Sequence, residues 1–286
     1  MDQVNVKSDL ADLTGKGVQP ISQEQQYEPG TVLVDKQPMS DEAKPSLDGY
    51  QLPTGYLDPE GNLHKDVWVR EMTGEEEDIL TARKVPVHQR MARILERCTI
   101  QVGPYKQDHA NWSNIVKALT VSDRLFLMLR IRIVSLGHLF SFKVTCTDAT
   151  CGKLSSQSVS LEDFKIDGMP DPANRVWEGE LPKAKVKYKM KVQTGADEQR
   201  VAGLANSQNA MTTAMAARLV ELNGKAPTPE QIKKLSAMDM NFLRDDMKKH
   251  EGNIDSDVDV ECPHRGNQFK TEIEIGSANF FFPSAT

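Results

Sequence analysis

The chain has 286 residues, of which 38% are apolar, and its 35 basic and 41 acidic side chains give a formal charge of −6. This acidic balance argues against binding to a nucleic-acid backbone, which requires clustered lysine and arginine. The most apolar segment, 125–136, is too short to cross a bilayer and contains Arg130 and Arg132, so no membrane span is predicted. The first residues lack the basic start and the apolar run of a signal peptide, which predicts folding in a cytoplasm. Four cysteines in a chain of this length do not make a disulfide framework.

Residues 1–50 are predicted to form a flexible N-terminal arm. They are rich in Gln, Pro, Ser, Asp and Lys, and they keep neither a helical nor a strand period. Two interpretations stay open: an arm that becomes ordered on a neighbouring protein, and a solvated tail without a role.

Residues 51–165 are predicted to form a first α+β module. Turn signals lead into a strand at 67–72, and Thr73-Gly-Glu-Glu76 then fits a capping box, in which the threonine and the last glutamate satisfy free amides at a helix start. Further helices follow, and an alternating strand then begins a β-hairpin whose tip carries Cys146 and Cys151.

A linker is predicted at 166–185, which contains three prolines, and a second α+β module at 186–286. This module also starts with a strand. Its first helix is capped at Thr194-Gly, with Asp197 in the position that reaches back to the cap. Further helices lead to a hairpin that carries Cys262 at its tip.

The two halves are related by a nearly constant shift. Thr73 and Thr194 are 121 positions apart, and Cys146 and Cys262 are 116 positions apart. Such self-similarity predicts two tandem pseudo-repeated modules in an α+β fold, each with a strand, a Thr-Gly-capped helix, further helices and a β-hairpin knuckle. The two knuckles are expected to meet at a degenerate zinc-ribbon-like junction.

Five lysines occupy alternate positions along 183–191, where the first strand of the second module is predicted. They give that strand one basic, solvent-facing side. Two interpretations are open. The basic side meets an acidic partner, or the lysines protect a sheet edge against unwanted pairing.

The tips of the two hairpins, here called knuckles, contain the candidate metal ligands. A zinc ribbon needs two pairs of thiolates, so that four ligands surround the ion at about 2.3 Å. Cys146 and Cys151 form a widened first pair, but Cys262 is followed by Arg265 where a second thiolate is expected, and a permanent positive charge is unfavourable beside a cation. His264 is therefore the candidate fourth ligand. The sequence leaves two possibilities: no cofactor, with free thiols, or one structural zinc ion whose four ligands leave no place for a substrate.

No catalytic residues are predicted. The histidines stand without an acid or a nucleophile at an informative spacing, and the sequence has no glycine-rich phosphate loop and no Ser/His/Asp signature. The acidic run after Thr73 is explained by its position at the positive end of a helix dipole. The sequence thus predicts a protein that is not an enzyme and that binds no small-molecule substrate.

The C-terminal segment is a candidate site for partner binding, formed by Phe280, Phe281, Phe282 and Pro283. Consecutive aromatic residues at a chain end either fold back to seal a core or project as an anchor into a partner. Both interpretations stay open.

Several of these segments together resemble one known family. They are Leu-Pro-Thr-Gly-Tyr-Leu at 52–57, Val-Arg-Glu-Met-Thr-Gly-Glu-Glu-Glu-Asp-Ile-Leu at 69–80, the double cysteine knuckle, and the terminal Phe-Phe-Phe-Pro. In combination they resemble the T-even-type bacteriophage baseplate protein family over residues 50–284. Members of that family usually carry two thiol pairs, so Arg265 and the widened first knuckle depart from the pattern. The resemblance implies a component of a contractile tail and no catalytic residues.

The favoured hypothesis is a structural component of the baseplate hub of a contractile-tailed phage. Such a protein would act by contact with hub, spike or tape-measure proteins, and it would be located in the virion after assembly in the host cytoplasm. One alternative is a transient tail-assembly chaperone that is absent from the mature virion. A more distant alternative is a zinc-ribbon regulator that binds nucleic acid, which the acidic composition opposes.

Overall fold

Strands and helices are interspersed along the chain in the computed structural model, which describes residues 48–204 and 210–281. The strands are β1 (Asp48–Leu57), β2 (Leu63–Val69), β3 (Thr99–Val102), β4 (Tyr105–Lys106), β5 (Leu139–Thr145), β6 (Leu154–Ser160), β7 (Lys165–Asp167), β8 (Val176–Glu180), β9 (Lys187–Lys191), β10 (Leu219–Leu222), β11 (Asn253–Asp255), β12 (Asp257–Glu261) and β13 (Gln268–Glu272). The helices are α1 (Gly74–Thr81), α2 (Val87–Cys98), α3 (Trp112–Ala118), α4 (Val121–Leu136), α5 (Gly195–Leu204), α6 (Ala210–Arg218), α7 (Pro229–Lys233), α8 (Ala237–His250) and α9 (Ala278–Phe281). This content confirms the α+β class. Most of the predicted arm, residues 1–47, lies outside the described residues, and its last three residues begin β1.

Two small antiparallel sheets share a strand order and an insertion. In the first sheet β2 lies between β1 and β3, and helices α1 and α2 connect β2 to β3. In the second sheet β9 lies between β8 and β10, and helices α5 and α6 connect β9 to β10. Two further helices then precede a two-stranded hairpin in each half. In the first half, α3 and α4 precede the hairpin β5–β6, and in the second half, α7 and α8 precede the hairpin β12–β13. Strand β4 extends only the first sheet, and β7 pairs with β11.

Part of the predicted linker 166–185 is a folded strand, β8, which pairs along its whole length with β9. Trp177 of β8 is 6% exposed, and its indole Nε1 donates to Asp246 Oδ2 at 2.7 Å. The three prolines that indicated a linker lie on either side of β8. The proline-rich composition therefore marks the ends of a strand.

The lysine-rich strand β9 is a central strand. It pairs with β8 on one side and with β10 on the other, so the interpretation that its lysines protect a sheet edge is wrong. Lys189 Nζ lies 3.0 Å from Glu178 Oε1, and Lys191 Nζ lies 2.8 Å from Asp197 Oδ1. These two lysines pair with acids of the same chain.

The two Thr-Gly helix starts have matching hydrogen bonds. At the start of α1, the backbone amide and the hydroxyl of Thr73 each donate to Glu76 at 2.9 Å. At the start of α5, the amide and the hydroxyl of Thr194 donate to Asp197 at 3.3 and 3.1 Å. Both predicted reach-back acids are therefore confirmed.

Each capping acid also pairs with a basic side chain six residues earlier. Arg70 donates to the two carboxylate oxygens of Glu76 at 2.9 and 3.0 Å, as Lys191 does to those of Asp197 at 2.8 and 2.9 Å. Glu76 is 0% exposed and accepts a further hydrogen bond from Arg97 Nε at 2.6 Å. Burial by itself would raise the pKa of Glu76, but the hydrogen bonds from the two arginines hold it well below its ordinary value of 4.5. The acid at the third helical position thus belongs to a buried ion-pair network.

A second set of matching contacts joins the later helices to the sheets. Buried Asp123, in the first turn of α4, accepts from the amide of Thr54 in β1 at 2.8 Å. Buried Asp239, in the first turn of α8, accepts from the amide of Lys183, which lies between β8 and β9, at 2.9 Å. Each of these amides directly follows a Leu-Pro dipeptide. The same local contact occurs once in each half.

Two hydrophobic clusters form the interior of the part of the chain that the structure describes. The larger one combines residues of the first sheet and of α4, such as Val67 and Leu127, with Val258 of β12 and Phe280 of α9. The smaller one takes its residues from 169–247. The last hairpin therefore packs with the N-terminal half, although it is distant from that half in sequence.

Helix α4 contains the most apolar segment of the sequence, and its burial explains that composition. Its buried residues include Phe126, Leu127, Leu129 and Ile131. None of the helices within 48–204 and 210–281 combines the length and the apolar composition that crossing a bilayer requires.

Candidate metal centre

Three cysteine side chains meet where the two hairpins end. Cys146 follows β5, Cys151 lies in the turn before β6, and Cys262 follows β12. Their Sγ atoms all lie within 4.8 Å of one another, and Cys151 Sγ is 3.8 Å from Cys262 Sγ. Residues more than 100 positions apart in sequence thus form one cluster of thiols.

Each knuckle is a tight turn closed by backbone hydrogen bonds. In the first knuckle the amide of Gly152 donates to the carbonyl of Asp148 at 3.1 Å, and in the second the amide of Gly266 donates to the carbonyl of Cys262 at 2.8 Å. The two glycines have φ angles of 54° and 66°. Glycine adopts this left-handed conformation without a steric penalty, so each turn can bring its cysteine back toward the other hairpin.

The distance between the sulfur atoms of Cys151 and Cys262 fits a tetrahedral zinc site. Zn–S bonds of about 2.3 Å place two thiolates of a tetrahedron roughly 3.8 Å apart. The Sγ atoms of Cys151 and Cys262 have this separation. Thiolates are also ligands that zinc prefers. The three cysteines can therefore bind a metal ion.

The protein environment acts differently on two of these thiols. The backbone amide of His264 lowers the pKa of the Cys262 thiol, and the neighbouring sulfurs act in the same direction. For Cys146, the amide of Asp148 acts to lower the pKa, but burial and the neighbouring sulfurs outweigh it, so the pKa is raised. A metal ligand must be a thiolate, so the hydrogen bond from the amide of His264 favours metal binding by Cys262.

The fourth predicted ligand, His264, does not belong to this cluster. Its side chain is exposed, and in the part of the chain that the structure describes the group of close ligand atoms consists of the three cysteines. Arg265 donates through Nη1 to Thr150 Oγ1 of the other knuckle at 2.9 Å. Asn267 approaches the sulfurs instead, with its Nδ2 3.8 Å from Cys146 Sγ. The structure therefore brings together three of the four predicted ligands.

Sequence reasoning missed the polar contacts that join the two knuckles. Asn267 follows the glycine that closes the second turn, and asparagine beside glycine at a hairpin tip is a recognisable turn signal. Gln157 of β6 donates through Nε2 to the carbonyl oxygen of Glu261 in β12 at 2.9 Å. This contact has no local signal, because it joins hairpins that are distant in sequence.

The aromatic side chains of Phe280 and Phe281 are buried within the chain, at 1% and 2% exposure. The ring centroids of Phe280 and Phe140 are 5.4 Å apart. Arg132, which is itself buried, donates through Nε to the carbonyl oxygen of Phe280 at 3.1 Å. These contacts favour the fold-back interpretation for the two described residues, whereas Phe282 and Pro283 lie outside the described residues.

The fold and the site together define an α+β protein whose two hairpins meet at a cluster of cysteines. The chain belongs to the T4 bacteriophage base plate protein family, whose model matches residues 62–283. No curated protein and no solved structure matches it. Family membership makes the protein a component of a phage baseplate, located in the tail of the virion and in contact with other tail proteins. It also suggests a role other than catalysis.

Proposed function

We propose that the protein is a structural component of the baseplate hub of a contractile-tailed phage and acts through protein–protein contacts. The family match carries this proposal, because it extends over 62–283 and so includes both halves of the chain. Four buried acidic side chains also support a structural role, because their carboxylates are used in hydrogen bonds within the fold. Glu76, Asp123, Asp197 and Asp239 are buried at helix starts, where they hold the fold together. We expect hub, spike or tape-measure proteins as partners, and assembly in the host cytoplasm.

Quantitative mass spectrometry of purified virions tests this function. A structural part is present at a fixed molar ratio to other baseplate proteins. If the protein is abundant in infected cells but missing from virions whose assembly requires it, the tail-assembly chaperone is the better description. Infected-cell lysate is the control that shows the protein is made.

We infer further that the two halves, which the sequence predicts as 51–165 and 186–286, are tandem modules with a common plan. The shared strand order, with two helices inserted after the second strand, supports this inference. So do the matching acids of α1 and α5 and of α4 and α8. Because β8 completes the second sheet, we place the start of the second module before residue 186, inside the predicted linker. A poor superposition of 48–160 on 176–272 in an experimental structure would contradict the inference.

We also infer that Cys146, Cys151 and Cys262 bind one structural zinc ion, with His264 as the candidate fourth ligand if the second tip bends differently. The separation of the sulfurs supports this. A bound zinc ion would connect the β5–β6 hairpin to the β12–β13 hairpin. Since these hairpins come from opposite halves of the chain, the effect of the ion would be on stability.

For the C-terminal segment, we propose that Phe280 and Phe281 attach it to the core while Phe282 and Pro283 contact a partner. The burial of the first two rings supports the attachment. Partner binding would then depend on the last residues and on the position that the two buried rings fix.

A further inference from the structure

A cleft separates strand β6 of one hairpin from strand β12 of the other. It has a volume of about 510 Å³ and is lined by 158–160 on one side and by 257–259 on the other. At the end near the cysteine cluster the two strands are connected, because Gln157 Nε2 donates to the carbonyl oxygen of Glu261. The volume of the cleft lies within the range of roughly 300–1,000 Å³ that is common for binding sites.

Strand β6 lines this cleft and has backbone hydrogen-bonding groups that its own hairpin does not use. In an antiparallel hairpin, pairs that exchange hydrogen bonds alternate with pairs whose N–H and C=O groups point outward. The amide of Cys146 donates to the carbonyl of Lys153, which identifies that pair as an exchanging one. Counting along the register, the pair Ser141 and Ser158 is of the outward kind. The N–H and C=O of Ser158 therefore point away from β5.

Strand β12 also lines the cleft and has backbone groups that its own hairpin does not use. The amide of Cys262 donates to the carbonyl of Asn267, and by the same alternation the backbone groups of Asp259 and Glu261 point away from β13. The outward carbonyl of Glu261 is the one that accepts from Gln157 of β6. One outward group of the β12 edge therefore contacts a side chain of β6.

These outward groups are free to pair with another strand. Among the described residues, the backbone groups of Ser158 and Asp259 have no backbone partner outside their own hairpins. Exposed strand edges are templates for pairing, and a two-stranded ribbon is only marginally stable by itself. A single extended segment in the cleft could pair with β6 on one side and with β12 on the other, as in strand addition to a sheet edge.

The charge of the cleft indicates which kind of extended segment it can bind. Its lining includes four carboxylates, of Asp163, Asp255, Asp257 and Asp259, against two lysines, which gives a net charge of −2 (4 acidic, 2 basic). The N-terminal residues 1–47 of this chain have eight acidic and four basic side chains, a net charge of −4. Charge complementarity therefore disfavours the chain's own N-terminus and favours a basic segment from another protein.

We propose that this cleft binds an extended, lysine- or arginine-bearing segment of another tail protein by strand addition between β6 and β12. The proposal deepens the proposed function by naming a docking surface, and it rests on that function only for the source of the segment.

A fluorescent peptide of alternating lysine and valine tests the proposal by fluorescence anisotropy with the full chain. We expect saturable binding. A peptide with methylated backbone amides should bind about tenfold more weakly, because each lost hydrogen bond costs on the order of that factor. A glycine–lysine peptide of equal charge should also bind weakly, since it has a low strand propensity.

Two proline variants separate strand pairing from general effects on the hairpin. Ser158→Pro removes the outward amide of a residue that lines the cleft, whereas Ser141→Pro removes the amide of the opposite residue, which faces the other edge of the same hairpin. Both variants lose the same contact between the two hydroxyls, which are 2.8 Å apart. We expect S158P to weaken peptide binding about tenfold and S141P to leave it unchanged.

The proposal is overturned if the two proline substitutions have equal effects on binding. It is also overturned if the glycine–lysine peptide or the methylated peptide binds as tightly as the lysine–valine peptide, or if the lysine–valine peptide does not bind. If S158P does not fold, the affinities of the methylated and unmethylated peptides for the wild-type protein still test the proposal. A competing peptide from residues 1–47 that binds more tightly would identify the chain's own N-terminus as the occupant and would also overturn it. Because these assays use the isolated protein, their failure is distinguishable from absence of the protein from virions.

Discussion

Replacing Glu76 with glutamine tests the buried network at the start of α1. Glutamine keeps the size of the side chain, but it leaves Arg70, whose side chain is 17% exposed, without its opposite charge. Removing one partner of a buried ion pair costs about 3–5 kcal/mol. Because Arg70 keeps some contact with water and the more exposed Arg97 still has Glu75 as a partner, we expect a loss near the lower end, about 3 kcal/mol of unfolding free energy.

Urea unfolding monitored by circular dichroism measures this loss, and Glu77→Gln is the matched control. Glu77 lies in the same helical turn and is exposed, so its loss should cost less than about 1 kcal/mol through the helix dipole. If the E76Q and E77Q variants are equally stable, the carboxylate of Glu76 does not hold the network together.

The pH dependence gives a second test of the same side chain. The pKa of Glu76 is lowered in the folded protein, so its contribution to stability is complete above the ordinary value of 4.5 and is lost as pH falls further toward the folded pKa. The stability difference between the wild-type protein and E76Q should therefore shrink as the pH falls from about 4.5 to about 3. A difference that stays constant over this range would refute the reasoning.

The remaining predictions concern the second half, the metal and the C-terminus. Asp197→Asn should cost about 1–2 kcal/mol in the same urea assay, less than E76Q, because the lysine partner of Asp197 is 35% exposed; a loss as large as that of E76Q would contradict this. Elemental analysis should find close to one zinc per chain, and Cys146→Ser should remove it; zinc well below one equivalent that the substitution does not change would end the metal hypothesis. Truncation after Gly276 should unfold the chain, because losing a buried phenylalanine ring costs about 3–5 kcal/mol and both Phe280 and Phe281 are removed; a truncated protein that folds but fails to assemble would show that the segment is only a partner anchor.

Local patterns predict the parts of this fold that depend on neighbours in sequence. A threonine followed three residues later by an acid predicts the helix starts at Thr73 and Thr194, and both reach-back hydrogen bonds are present. Hydrogen bonds within one helical turn involve only the residues of that turn, so spacing alone is sufficient.

Pairing between distant segments is not predictable in this way. Alternation along β9 predicts one solvent-facing side, but it does not tell how many strands lie beside it, and β9 has two neighbours. The packing of Val258 and Phe280 into the larger N-terminal cluster has the same cause, since it depends on tertiary contacts over more than 100 residues.

The candidate site is intermediate between these two cases. Residue type and hairpin order predict that Cys146, Cys151 and Cys262 lie close together, and their sulfurs do so. The positions of His264 and Arg265 depend on the backbone of the second tip, where Gly266 adopts a left-handed conformation. Spacing in the sequence cannot decide on which side of such a turn each side chain lies.

Electron cryo-microscopy of the purified baseplate tests the hub assignment most directly. We expect density for the two sheets and both hairpins of this chain within the hub, in contact with neighbouring tail proteins. A complete map of the baseplate in which the hub contains no copy of this chain would contradict the assignment.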